Sequence, residues 1–485
     1  MAYRQYVLVG PKGGVRLPRF GAAAGVLALG LLFGHAAQAQ VVPGTQTFAD
    51  PSGVLETKST AGDVNPATNP FFEVLGFNPR TCSTCHVASD GMGLSASDIQ
   101  AQFNSTGGTG VLFSTQDVAN CSNNKVSTLA QRQAAYSLFT AKGLVRVPRL
   151  LAAITANQWS ITAVKDPYGC ETSAKLGLSQ FGPGVPTQGF AIMYRRVLPA
   201  GNLPFITSIG ADGKFPNLFL QAIAAISGHE QPGPTSGVQK AAAIGAMNYE
   251  LSVFTAQLSD NAAGALNANG ATGGPDGIAA QAFQPGQNDP FGGDPNGKPF
   301  NSHVFSLFDA WTNPANASLT PSQLSIGRGQ TIFNNRPFNI SGVAGLNDVQ
   351  NIPNISGTCS TCHNTPNVGT HSLPVLVDEG LSGTSIASAL DNSYLPVFTV
   401  QCNSGPLAGQ TYTVTDLGQA LITGNCADMG KIKIYGLRGV GVRAPYFHNG
   451  AANTLTDLVN FYNTRFSIGL TAQDKTDLVN FLNAL

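Results

Sequence analysis

Thr81-Cys82-Ser83-Thr84-Cys85-His86 and Thr358-Cys359-Ser360-Thr361-Cys362-His363 are the same six residues written twice. Each contains C-x-x-C-H, the spacing at which two thiols reach one porphyrin edge as thioethers while the next side chain turns under the iron. With 8 Cys and 7 His in 485 residues, one such match arises by chance roughly 0.002 times. Two identical copies therefore point to two covalently bound haem c groups. Cys82, Cys85, Cys359 and Cys362 are the attachment residues, and His86 and His363 the proximal iron ligands. The competing use of C-x-x-C, zinc or thiol redox chemistry, leaves the following histidine without a role in either copy.

The first 39 residues read as a secretory signal. Arg4, Lys12, Arg16 and Arg19 form a basic start without an acidic residue, residues 21–34 form a short apolar stretch, and Ala37-Gln38-Ala39 is an A-x-A cleavage site. The expected location is the periplasm, which agrees with haem attachment outside the cytoplasm. Later segments fall short of the ~18 apolar residues that a membrane span needs. Without the signal, 22 basic side chains stand against 26 acidic ones. This mild net negative charge argues against nucleic-acid binding. Gly (56) and Pro (30) are abundant and only 11% of residues are charged, so long irregular loops are expected. Four further cysteines, Cys121, Cys170, Cys402 and Cys426, make an even set suited to disulfides in an oxidising compartment. Three pairings exist; nearness in sequence favours Cys121–Cys170 and Cys402–Cys426.

Each motif opens a half of the chain. Gln239 to Gln257 reads as a helix that closes the first half. A Gly/Asn/Pro-rich stretch follows to about Pro299. Thr320 and Pro321 suit the N-cap and first position of a helix reaching about Phe333. About 25 residues then precede the second motif, an apparent insertion. Thr471-Ala472-Gln473-Asp474 opens a terminal helix with Leu478, Phe481, Leu482 and Leu485 on one face. Strand signals are weak, apart from a short pair at Val397–Val400 and Thr411–Val414.

Leu437-Arg438-Gly439-Val440-Gly441-Val442-Arg443-Ala444-Pro445-Tyr446-Phe447-His448-Asn449-Gly450, followed by Thr454-Leu455-Thr456-Asp457-Leu458-Val459-Asn460-Phe461-Tyr462, resembles the signature of bacterial di-haem cytochrome c peroxidases and the related MauG enzymes. The resemblance implies a mainly α fold of two cytochrome c-like domains with long irregular loops, each holding one c-type haem. The boundaries are a signal at 1–39, an N-terminal domain at 40–258 with the peroxide-reacting haem, a linker or loop at 259–305, and a C-terminal domain at 306–485 with the electron-input haem. It implies reduction of hydrogen peroxide with electrons from a small cytochrome c or cupredoxin, with a homodimer as a candidate assembly. Related alternatives are a MauG-like or rubber-oxygenase-like di-haem oxidase; a non-catalytic electron carrier is the alternative from another class.

The resemblance also suggests individual roles. The C-terminal haem's second axial ligand falls on Tyr462, which also shares a helix face with Leu455 and Leu458 and so suits a packing role; Met429 is the rival ligand. Ala211-Asp212-Gly213-Lys214 sits where the family has Trp-Asp-Gly-Arg, so Gln221 and Glu230 become the polar pair at the reacting haem. His229 is an alternative acid–base group or ligand. Met92 lies close to the first motif but is poorly placed for the far face. Calcium between the haems is implied as well, at a point where this chain has Arg443 rather than Thr. His448 is expected near a haem edge, His371 in a surface loop.

Overall fold

Each hexapeptide closes into one helical turn, and a threonine pair fixes both ends. In the computed structural model, which describes residues 41–150, 158–170, 190–231 and 236–485, the Thr84 hydroxyl accepts from the Thr81 amide at 3.0 Å and the Thr361 hydroxyl from the Thr358 amide at 3.0 Å. The His86 amide reaches back to the Cys82 carbonyl and the His363 amide to the Cys359 carbonyl, at 3.0 and 3.1 Å. The same residues thus build the same turn twice, and what differs is the packing around it. The proposed signal, residues 1–39, lies outside the described residues.

Behind the second turn, the helix Pro321–Asn335 begins with the expected Thr320 cap. The helix Ala472–Asn483, capped by Thr471, crosses it at Gly329. A Cβ on Gly329 would strike the Asp477 carbonyl and come within 2.6 Å of the Phe481 Cβ, so only glycine permits this approach. Ile326, Phe333, Leu478, Phe481 and Leu482 fill the contact. Phe305, Phe308 and Trp311, all fully buried, extend the same core. Although residues 259–305 are largely irregular, Leu266 and Phe305 pack into it. The third long element, Leu455–Arg465, carries Tyr462.

A mainly α architecture is not what the chain adopts. Among the described residues thirteen strands form five small sheets. Most are ribbons of two to seven residues, and the longer ones such as Gly53–Ser59 and Val397–Cys402 alternate in burial. The helix expected over Gln239–Gln257 runs instead over Ser236–Ser252 and gives way to the strand Val253–Asp260. Val253 to Gln257 are all buried, so a strand covered on both faces reads as an apolar run and passes for helix. The insertion before the second motif contains the hairpin Phe338–Ser341/Asn354–Gly357. Val397–Cys402 does pair with Thr411–Val414, and also with Trp159–Lys165 from the first half.

That last sheet and the chain's end tie the sequence halves together. The Leu485 carbonyl accepts from the Gln257 and Gly439 amides at 3.3 and 3.0 Å. Arg195 bridges Asp212 and Asp416, both at 2.7 Å, with all three side chains buried. Val41–Leu485 accordingly forms one compact unit. Disulfides join Cys121 to Cys170 and Cys402 to Cys426, with Cα separations of 5.8 and 6.0 Å. These are the pairings favoured by nearness. They leave Cys82, Cys85, Cys359 and Cys362 as free thiols. No helix among the described residues is long and apolar enough to cross a membrane.

Candidate functional site

His363 lies against a cavity of about 220 Å³ lined mainly by aliphatic and aromatic side chains. Its Nδ1 is 2.6 Å from the Gly369 carbonyl. A carbonyl only accepts, so Nδ1 carries the proton and Nε2 keeps the lone pair, the arrangement of a metal-binding imidazole. Cys359, Cys362 and Tyr462 line the same cavity. Burial raises the Cys359 thiol to about 12, so it remains a neutral thiol. The Tyr462 hydroxyl donates to Glu379 at 2.9 Å. Burial pushes Glu379 up to about 7, and burial together with Glu379 raises Tyr462. Met429, the rival ligand, packs instead beside the Cys402–Cys426 disulfide and does not line the cavity. His448 does line it; it is buried, with Nε2 unpartnered and 3.9 Å from Asp416. Burial lowers the His448 imidazole to about 4.

The first turn has different neighbours. The His86 Nδ1 faces the Met92 carbonyl at 3.3 Å, so this ring is held in the same tautomer. Burial lowers it to about 4. Glu230, only 2% exposed, ends the π-helical turn Ile226–Glu230. One of its oxygens is 3.7 Å from the Cys82 sulfur and the other accepts from the Leu75 amide at 3.2 Å. Burial pushes this carboxyl to about 7. His229, beside it, is largely exposed and its Nδ1 is 3.0 Å from Asp117. Burial works to raise Asp117, but His229 and Arg80 outweigh it and hold that carboxyl at about 2. Gln221 lies half-buried on the helix Leu218–Ala225 and makes no side-chain hydrogen bond with the motif. The structure thus brings Glu230 to the first turn and sets His229 close by. Met92 is buried among Phe71, Tyr249 and Val253 and meets His86 through its carbonyl.

Sequence reasoning missed Glu250, whose charge acts on Cys82 and which burial pushes to about 7. It missed Glu379 as well; neither belongs to a motif, and only folding brings them to the thiols. His371 is not in a surface loop. It is 3% exposed, and its Nδ1 lies 2.8 Å from the Asn364 side-chain oxygen, which also accepts from the Ser372 amide. The loop folds around Asn364 and draws the histidine inward. Ala211, where the family has tryptophan, is buried and offers its carbonyl to the Lys433 amide at 2.9 Å.

This donor set fits haem c: free thiols with two residues between them, an imidazole with a fixed tautomer and, at the second turn, an apolar cavity. Calcium would have to rely largely on carbonyl and amide oxygens here. Among the described residues no three His, Cys, Asp or Glu side chains converge as a metal site, and Arg443 lines the cavity wall.

No protein-family model matches the chain. Over 78 residues it is 41% identical to the cytochrome-c peroxidase IdrP2 of Denitromonas iodatirespirans, a match covering 15% of this chain and 21% of that protein. It is 36% identical over 88 residues to IdrP1 of the same organism, covering 16% and 23%. The matched stretch is cytochrome-c peroxidase-like. The chain spans only about a fifth of the length of these curated relatives. Among solved structures, a MauG-like protein associated with microbial copper homeostasis is 16% identical, with a TM-score of 0.32 over 61% of this chain and 76% of that one.

Proposed function

We propose that the chain is a periplasmic di-haem enzyme that reduces hydrogen peroxide to water with electrons from a small cytochrome c or cupredoxin. The observation that carries this reading is that two identical attachment turns have unequal surroundings. One faces an apolar cavity with a tyrosine in it. The other has a buried carboxyl beside its first thiol. Haem c, when bound, supplies the redox iron that exchanges electrons with peroxide and donor. Cys82 and Cys85 would hold one haem and Cys359 and Cys362 the other, and His86 and His363 would be the proximal ligands. Their Nδ1 hydrogen bonds orient the rings and raise their basicity. Glu230, poised near neutrality, takes and returns a proton at the first haem. The N-terminal part, to about residue 258, then forms the reacting half, and residues 306–485 the electron-input half.

The position of Tyr462 favours a second reading. A hard oxygen ligand stabilises ferric iron and lowers the potential, whereas a thioether raises it. That suits a di-haem oxidase of MauG type acting on an organic substrate. Steady-state assays with peroxide and a reduced small cytochrome separate the readings. Donor oxidation that depends on peroxide supports the peroxidase. Peroxide-inert protein with two low-spin haems would instead make it an electron carrier, and substrate-dependent oxygen uptake would favour the oxidase.

A further inference from the structure

Beside the thiol-lined cavity lies a smaller one, of about 40 Å³. The two share the wall Lys433–Gly436 and Arg443. Three cations face this small space: Lys433, Arg438 and Arg443. Arg438 is 1% exposed. It donates one bond, to the Gly274 carbonyl at 2.6 Å, and its Nε and Nη1 are buried without a partner. Arg443 donates to the Gly436 carbonyl at 2.9 Å and Lys433 to the Ser208 carbonyl at 3.3 Å. The Ser208 hydroxyl, also lining this cavity, is another buried polar group without a partner. Among the described residues none of the three cations forms an ion pair with a carboxylate. Burial alone lowers Lys433 to about 8 and Arg438 to about 9.

Isolated buried charges cost several kcal/mol each. A fold sustains such charges when a bound group brings the opposite charge. A divalent cation would bring more positive charge instead. The group implied by the neighbouring thiols carries two carboxylates at the edge opposite its vinyl groups. We propose that Lys433, Arg438 and Arg443 form an anion site for haem propionate carboxylates, and that their fixed positive charge replaces the calcium ion that the family resemblance implies. Arg443 occupies the position where that resemblance places a calcium-binding residue. Arg438 and Lys433 supply further positive charge from the same segment. The inference rests on the haem reading above.

The test uses the haem-loaded full chain. Haem is counted first, by its pyridine adduct. Calcium is then measured by elemental analysis before and after dialysis against EGTA, and calcium chloride alone is titrated in a calorimeter. The expected result is two haems, no stoichiometric calcium, no binding heat and an unchanged optical spectrum. In the variant Lys433→Gln, a haem midpoint potential falls, because a positive charge favouring the reduced iron has gone. Lys433→Arg restores it. Arg438→Gln produces the same fall; if that buried variant fails to fold, the lysine pair decides the matter alone. One calcium per chain, lost to EGTA with a spectral change, overturns the proposal. So do midpoints that stay put in Lys433→Gln with both haems attached. A wild-type chain without haem would defeat the haem reading first, and this proposal with it.

Discussion

Replacing Glu230 by glutamine removes one charge and almost no volume. Glutamine keeps an oxygen that can accept from the Leu75 amide, which Glu230 now receives at 3.2 Å, so the turn Ile226–Glu230 is expected to persist. The proton-accepting carboxylate is lost. Burial sets the Glu230 carboxyl at about 7, against an ordinary value of 4.5. Its ionised fraction is then about 1% at pH 5 and about one half at pH 7, so a rate that needs the carboxylate rises roughly fifty-fold across that interval. The assay is peroxide-dependent oxidation of a reduced small cytochrome, with kcat/KM followed from pH 5 to 8.5. The wild-type profile is expected to rise with a midpoint near 7 and then flatten. In Glu230→Gln the rise should vanish and the rate at pH 8 fall by about 10²- to 10⁴-fold, the range for losing a general acid–base group. A glutamine variant with the same pH profile and a rate within a few-fold of wild type would refute the assignment.

Three further outcomes follow from the packing and the charges. Glu250 is buried, and burial raises its carboxyl from 4.5 to about 7; the folded state keeps that proton over a range where the unfolded chain has lost it. Its share of the loss of stability should be about 3 kcal/mol as pH climbs from 4.5 to 7, added to the shares of Glu230 and Glu379, which titrate over the same interval; in urea denaturation Glu250→Gln should make the slope shallower by that share. Gly329→Ala should lower the melting temperature by several degrees. The helix gains about 1 kcal/mol in propensity, but overpacking against Asp477 and Phe481 costs about 3. Tyr462→Phe should raise the midpoint potential of one haem and alter its ferric EPR signal while leaving the other unchanged, as redox titration would show.

What was legible in the chain was what repeats or caps. The hexapeptides, the Thr320 and Thr471 caps and the pairing of near cysteines all depend on residues close in sequence, and the folded chain shows these local features. The strand content was hidden because its pieces are short or covered on both faces, as at Val253–Gln257. The polar environment was hidden for another reason. Glu250 comes to Cys82, Glu379 to Tyr462, and Arg438 to its cavity, through contacts between distant segments that leave no spacing to recognise. His371 was misplaced because a Gly/Pro loop ordinarily runs on the surface, whereas the hydrogen bonds to Asn364 turn this one inward.

The central claim is that identical attachment turns hold two haems in unequal coordination. The direct measurement is EPR spectroscopy of the resting ferric protein, with each signal quantified against total haem iron. Two signals of equal weight are expected: one high-spin, from the haem that Cys82 and Cys85 would hold, and one low-spin, from the haem that Cys359 and Cys362 would hold, with Tyr462 as its second ligand. Two low-spin signals, or iron equivalent to a single haem, would contradict the account.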